Sequence, residues 1–103
     1  MPEPLRDSPN HRRSAFVDHG AGAQIRELRE DRGLNSPEAL AADIRRAART
    51  APWGERGSVD AWTIRQIERN GRVPGMRIQF VLSHYFGVDR RAIWVPGRQR
   101  AAA

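Results

Sequence analysis

The chain has 103 residues, a net charge of +6, no cysteine and no lysine, so all 18 basic residues are arginine. That length allows one small domain with a modest core, and the lack of cysteine excludes disulfides and thiolate metal sites. A pI near 11.5 points to a polyanionic partner, while no apolar run approaches the ~18 residues that cross a membrane and no signal-peptide pattern opens the chain, so a cytoplasmic protein is expected.

Residues 1–19 contain three prolines and few large apolar side chains, the composition of a flexible N-terminal arm. Arg12 and Arg13 read as part of a solvated tail, the alternative being a basic arm that touches phosphate, and His11 and His19 stand alone, without a partner at metal-ligand spacing. From Ala21 to Arg32 the pattern turns helical. Ala21, Ile25 and Leu28 share one face, Gly33 suits the left-handed end, and Leu34 folds back on the helix. Ser36 at N-cap and Pro37 at the first helical position start a second helix. Leu40 and Ile44 form its apolar stripe, and it runs to about Arg49. Residues 50–58 hold a proline and two glycines and are read as a loop, with Trp53 either plugging the edge of the core or standing exposed as a contact residue.

Val59 to Pro74 is the stretch around which the chain is organised. Asp60 is placed to cap the amides of Trp62 or Thr63, and Val59 and Ile64 take the two positions of a hydrophobic staple. Ile64 and Ile67 share the buried face, leaving Arg65, Gln66, Arg69 and Arg72 largely off it. Asn70-Gly71 and Pro74 end the helix. Guanidinium and amide groups on an exposed helix face are the groups that read base edges and phosphates, which makes this a candidate DNA-recognition helix.

A fourth helix follows, with Ile78, Val81, Leu82, Tyr85 and Phe86 in the clearest amphipathic pattern of the chain and Gly87 closing it. His84 lies beside the stripe as a surface or boundary residue. Val88, Asp89 and Ile93 repeat the staple and cap for a short fifth helix completed by Trp94, and Pro96-Gly97 ends it. Ile93, Trp94 and Val95 are either core or contacts to a second copy. No stretch alternates with period two, so no sheet is expected. The expected organisation is an arm at 1–19, an all-α five-helix domain at 20–95 with an insert at 45–58, and a flexible basic tail at 96–103.

In order and punctuation these helices resemble the phage-repressor/Cro type (XRE-like) of helix-turn-helix domain over residues 21 to 94. Leu28-Arg29-Glu30-Asp31-Arg32-Gly33-Leu34 is similar to the end of the family's first helix. Ser36, Glu38 and Leu40-Ala41 are similar to its second. Val59, Thr63-Ile64 and Ile67-Glu68 match the spacing of its third, and Pro74, Phe86-Gly87-Val88 and Ile93-Trp94 match its close.

The resemblance implies a compact lambda-repressor-like fold in which the second helix lies across the DNA backbone and the third enters the major groove. Base reading would fall to Ala61, Trp62, Arg65 and Gln66, with Arg65 suited to guanine and Gln66 to adenine. Trp62 would press on a thymine methyl or on sugar; its alternative is partial burial beside the insert. Arg69 and Arg72, with Ser36, fall at phosphate-contact positions. Glu68 would pair with Arg29 and be structural.

Two features depart from the family. Arg45 to Ser58 replace a single residue of what is usually a tight turn of about four residues. Arg45, Arg46, Arg49 and Arg56 of this insert are further candidates for phosphate contact. Pro37 stands where many members carry a phosphate-bonding glutamine.

The function implied is a sequence-specific regulator of transcription, acting as a small repressor of phage or mobile-element origin and binding double-stranded DNA as a homodimer on a palindromic operator. A nucleoid-associated, cytoplasmic location goes with it. The alternatives are a DNA-binding antitoxin, or a protein-interaction adaptor using the insert. The chain lacks paired histidines and a Gly-rich phosphate loop, so neither an enzyme nor a metal or other cofactor is expected.

Overall fold

The computed structural model describes residues 16–98 and 100–101. Strand β1 (Phe16–Val17) leads into helix α1 (His19–Asp31), then α2 (Pro37–Ala48), a short 3-10 turn (Gly54–Arg56), α3 (Ala61–Asn70), α4 (Met76–Phe86), α5 (Arg90–Ile93) and strand β2 (Arg100–Ala101). The domain is all-α apart from that two-stranded ribbon, with five α-helices among the described residues.

Local chemistry accounts for most boundaries. The Asp18 carboxylate accepts from the Ala21 amide at 3.0 Å and starts α1. At its other end, Gly33 adopts φ +74°, its amide reaches Glu30 O, and the Leu34 amide reaches Arg29 O at 3.2 Å. Ser36 Oγ accepts from Ala39 N at 3.1 Å with Pro37 beside it. Asp60 caps Thr63 N at 2.8 Å, and the staple pair Val59 and Ile64 is fully buried. Asp89 caps Arg91 N at 2.7 Å. Ile25, Leu40, Ile44, Ile67, Leu82 and Ile93 form the centre of the core.

The ends of the chain depart from the sequence expectation. Phe16–Val17, the capping Asp18 and His19, the first residue of α1, fall inside the segment read as an arm, and they pack against the domain; residues 1–15, with Arg12 and Arg13, lie outside the described residues. Phe16 pairs with Ala101 and Val17 with Arg100 in antiparallel register, so part of the segment read as a tail is a strand. Two-residue strands carry no readable periodicity. A buried charge holds the region: Arg98 Nε lies 2.9 Å from an oxygen of Asp18, which is 3% exposed, and Arg98 Nη2 donates to Ile93 O at 2.6 Å. Asp18 therefore neutralises its burial through a residue at the far end of the chain.

The insert is also structured. The Ala51 amide continues from Ala47 O at 3.1 Å, and Gly54 lies so close to Ala48 O that a Cβ would come within 1.9 Å of it. Arg77 of α4 donates to Arg56 O and Ser58 O at 3.0 and 3.2 Å. Trp53 is half-buried, edge-on to Tyr85 at 6.4 Å, as a plug at the rim of the core. Ile93 and Trp94 are core residues, 0% and 2% exposed, which removes them as candidate contacts to a second copy. Val95 alone of that trio is exposed.

Two tests follow from this packing. Gly22 of α1 touches α3, where a Cβ would sit 2.2 Å from Ile67 O. Gly22→Ala is therefore expected to cost about 2–3 kcal/mol by urea denaturation, the overpacking outweighing alanine's better helix propensity.

The second test concerns Tyr85, which donates to Asp43 of α2 and so links α2 to α4. Burial and this hydrogen bond push its hydroxyl up to about 12. The folded state keeps this proton longer than the unfolded chain does. Stability is thus unaffected by this group below pH ~10 and falls by about 2–3 kcal/mol as the pH rises to ~12. Urea midpoints across that range should show the fall in the native protein and lose it in Tyr85→Phe.

Candidate nucleic-acid interface

Helix α3 has one apolar stripe, and its burial fixes what the opposite side presents. Ile64 and Ile67 are fully buried. The side chains at 62, 65, 66 and 69 are displaced around the helix from that stripe. Trp62 is 56% exposed, with the Arg72 guanidinium 5.4 Å above its ring. Trp62 is thus more exposed than covered, and the group over its ring is Arg72. Arg69 is exposed and has no ion-pair partner among the described residues. Gln66 is half-buried and accepts from Asn70 Nδ2 at 2.6 Å. Ala61 is half-buried and packs against the core cluster.

The helix is set on the domain by a buried ion pair. Arg29 Nε and Nη2 donate to Glu68 at 2.8 and 2.9 Å, both side chains being 6% exposed, and Arg29 Nη1 donates to Leu34 O at 2.7 Å. The Glu68 bond raises the Arg29 guanidinium above its ordinary range. This is the pair that the resemblance implies, and it joins the end of α1 to the last turns of α3. Such two-point contacts fix orientation as well as distance.

The N-terminus of α2 lies beside this face. Arg26, Ser36, Glu38, Arg65 and Arg69 line a polar cleft of about 570 Å³ between α1, α2 and α3. The Ser36 hydroxyl oxygen is engaged by the Ala39 amide, leaving its own proton available to a ligand. Arg65 does not project freely: its Nη2 is ion-paired with Glu38 Oε2. The bond from Arg65 holds the Glu38 carboxyl below the usual range. This partner was not visible in sequence, since the two residues are 27 apart and neither carries a local signal for the other.

The insert's arginines divide. Arg45 and Arg49 are exposed and follow Glu38 at helical spacings of seven and four, along the same stripe of α2. Arg46 instead pairs with Asp43, at 2.5 Å, on the Tyr85 side. Arg56 lies 5.3 Å over the Phe80 ring of α4. Phe80 belongs to a second hollow, lined also by His84, Arg90 and Arg91, which shares no lining residue with the α1–α2–α3 cleft. The structure thus gathers Ser36, Arg65 and Arg69 at one cleft, sets Arg45 and Arg49 along its α2 flank, and turns Arg46 and Arg56 to other partners.

Among the described residues no group of three His, Asp or Glu side chains is disposed to hold a metal ion, and no helix is long and apolar enough to cross a membrane. No family model, curated protein or solved structure matches the chain.

Removing one partner of a buried pair strands the other charge. Glu68→Ala is expected to cost about 3–5 kcal/mol in urea denaturation, whereas Arg26→Ala, which ends an exposed pair with Glu30, should cost less than about 1 kcal/mol.

Proposed function

We propose that this protein is a sequence-specific double-stranded DNA-binding regulator that lays α3 in the major groove. The observation that carries the reading is the outward side of α3. It combines an exposed Trp62, an exposed Arg69 and an Arg65 held at the mouth of a polar cleft, on a helix whose other side is locked into the core. Arg65 suits the acceptor pair of guanine, and Arg69 and Arg72 suit phosphate. The net charge of +6 favours association with a polyanion. The resemblance of residues 21–94 to phage-repressor/Cro domains agrees with this arrangement.

A helix of this length reads only a few base pairs. A homodimer on a palindromic operator gives the specificity a repressor needs. The α5 residues Ile93 and Trp94 are spent in the core, so that dimer would use another surface. Repression by occupying an operator, in a phage or mobile element or as the DNA-binding partner of a toxin, belongs to this proposal. So do a cytoplasmic location at the nucleoid and the absence of an enzymatic role. The adaptor reading loses its main support, because Trp53 and the Arg77-bound loop are packed on the domain instead of being displayed.

Selection from a random duplex library, at low and at physiological salt, tests the reading. Enrichment of a short palindrome that survives physiological salt is the expected result. Binding that vanishes with salt and enriches nothing would overturn it. On the selected site, Arg65→Ala should cost about 1–3 kcal/mol and relax the preference at one base pair. Arg69→Ala should weaken all sequences alike and lower the salt slope by about one.

A further inference from the structure

A carboxylate at the mouth of a phosphate-binding face is electrostatically costly, so its position calls for a reason. Glu38 is 60% exposed in its side chain and reaches across from the first turn of α2 to Arg65 on α3. Contact is made through Arg65 Nη2 alone; Nε and Nη1 have no acceptor among the described residues. The Arg65 side chain is 29% exposed, and the pair places a guanidinium with two further donor nitrogens beside an anionic acceptor.

That order of groups has a counterpart in the major groove. The edge of a G·C pair shows two acceptors, guanine N7 and O6, followed by the amino donor of cytosine. An A·T pair places the thymine oxygen, an acceptor, next to the adenine amino group, so a carboxylate there would meet like polarity. Resting on the DNA-binding reading above, we propose that Glu38 and Arg65 read one G·C base pair as a unit. Arg65 donates to guanine N7 and O6, and Glu38 accepts from the cytosine amino group while still holding the guanidinium. Guanine O6, Arg65 Nη2, Glu38 Oε2 and the cytosine amino nitrogen then form a closed ring of alternating acceptors and donors. Glu38 is a specificity-determining residue in this arrangement, and it repels phosphate wherever the register is wrong.

The test uses the full chain and the strongest duplex selected from the random library. At the guanine whose preference depends on Arg65, one duplex carries 7-deazaguanine, which lacks the N7 acceptor. A second carries N4-methylcytosine in the partner position, which blocks the outward amino hydrogen. Each analogue is expected to weaken the native protein roughly tenfold. With Glu38→Ala the N4-methyl group should cost nothing, the deaza substitution should still cost, and affinity for unrelated duplex should rise. Circular dichroism of Glu38→Ala verifies that the exposed substitution leaves the fold intact.

Loss with 7-deazaguanine but indifference to N4-methylcytosine would overturn the paired reading, reduce Glu38 to a surface ion pair and leave DNA recognition by Arg65 standing. A selected site with no base pair sensitive to Arg65→Ala would also overturn it. Selection that enriches no sequence removes the DNA-binding reading itself, and this inference with it.

Discussion

The buried contact between α1 and α3 governs the rest of the molecule. Arg29 and Glu68 meet through two hydrogen bonds at 6% exposure, and about two turns back along α1 Gly22 lets the α3 backbone come within van der Waals range. A guanidinium and a carboxylate removed from water tolerate little displacement, because each leaves the other uncompensated if it moves. Glycine in a helix interior costs helical stability, and its use here indicates that helix separation matters more. Ionic orientation and steric proximity together determine how α3 is rolled on the domain. Its outward residues follow from that roll.

The long connection between α2 and α3 is compatible with this because the angle between the two helices does not depend on a short turn. Gly54 packs on the last turn of α2, Arg77 binds two carbonyls of the loop, and Trp53 meets Tyr85. Tyr85 in turn donates to Asp43, returning the linkage to α2. A loop tied at several points loses most of its conformational freedom, and behaves as a spacer of set length.

Elements with local signals were legible in the sequence. Ser36, Asp60 and Asp89 each act on amides two or three residues ahead, so their caps can be read from neighbouring letters. Glycine at 33, 71 and 87 marks helix ends for the same reason. Asp18 caps the Ala21 amide in the same i to i+3 pattern, but the polar, proline-rich letters before it give the local composition of an arm. Interactions across the fold were not legible from spacing. The Arg29–Glu68 pair came through family resemblance, while Glu38–Arg65, Arg77 on the loop and Arg98 on Asp18 had no local trace. Eighteen identical cations offer every carboxylate many possible partners, and only packing selects among them.

The ribbon at the chain ends bears on the order in which the molecule assembles. Asp18 and Arg98 are separated by 80 residues, and their contact closes nearly the whole described chain into a ring. Closing so large a ring loses chain entropy that two short strands and one ion pair recover only after the helices have docked. Formation of the ribbon is thus expected to follow docking of the helices. Phe16 O accepts from Val73 N, and the adjoining Asp18 N donates to Gly71 O, so fraying frees the segment that follows α3 while Arg29 still holds Glu68 in the last turns of that helix.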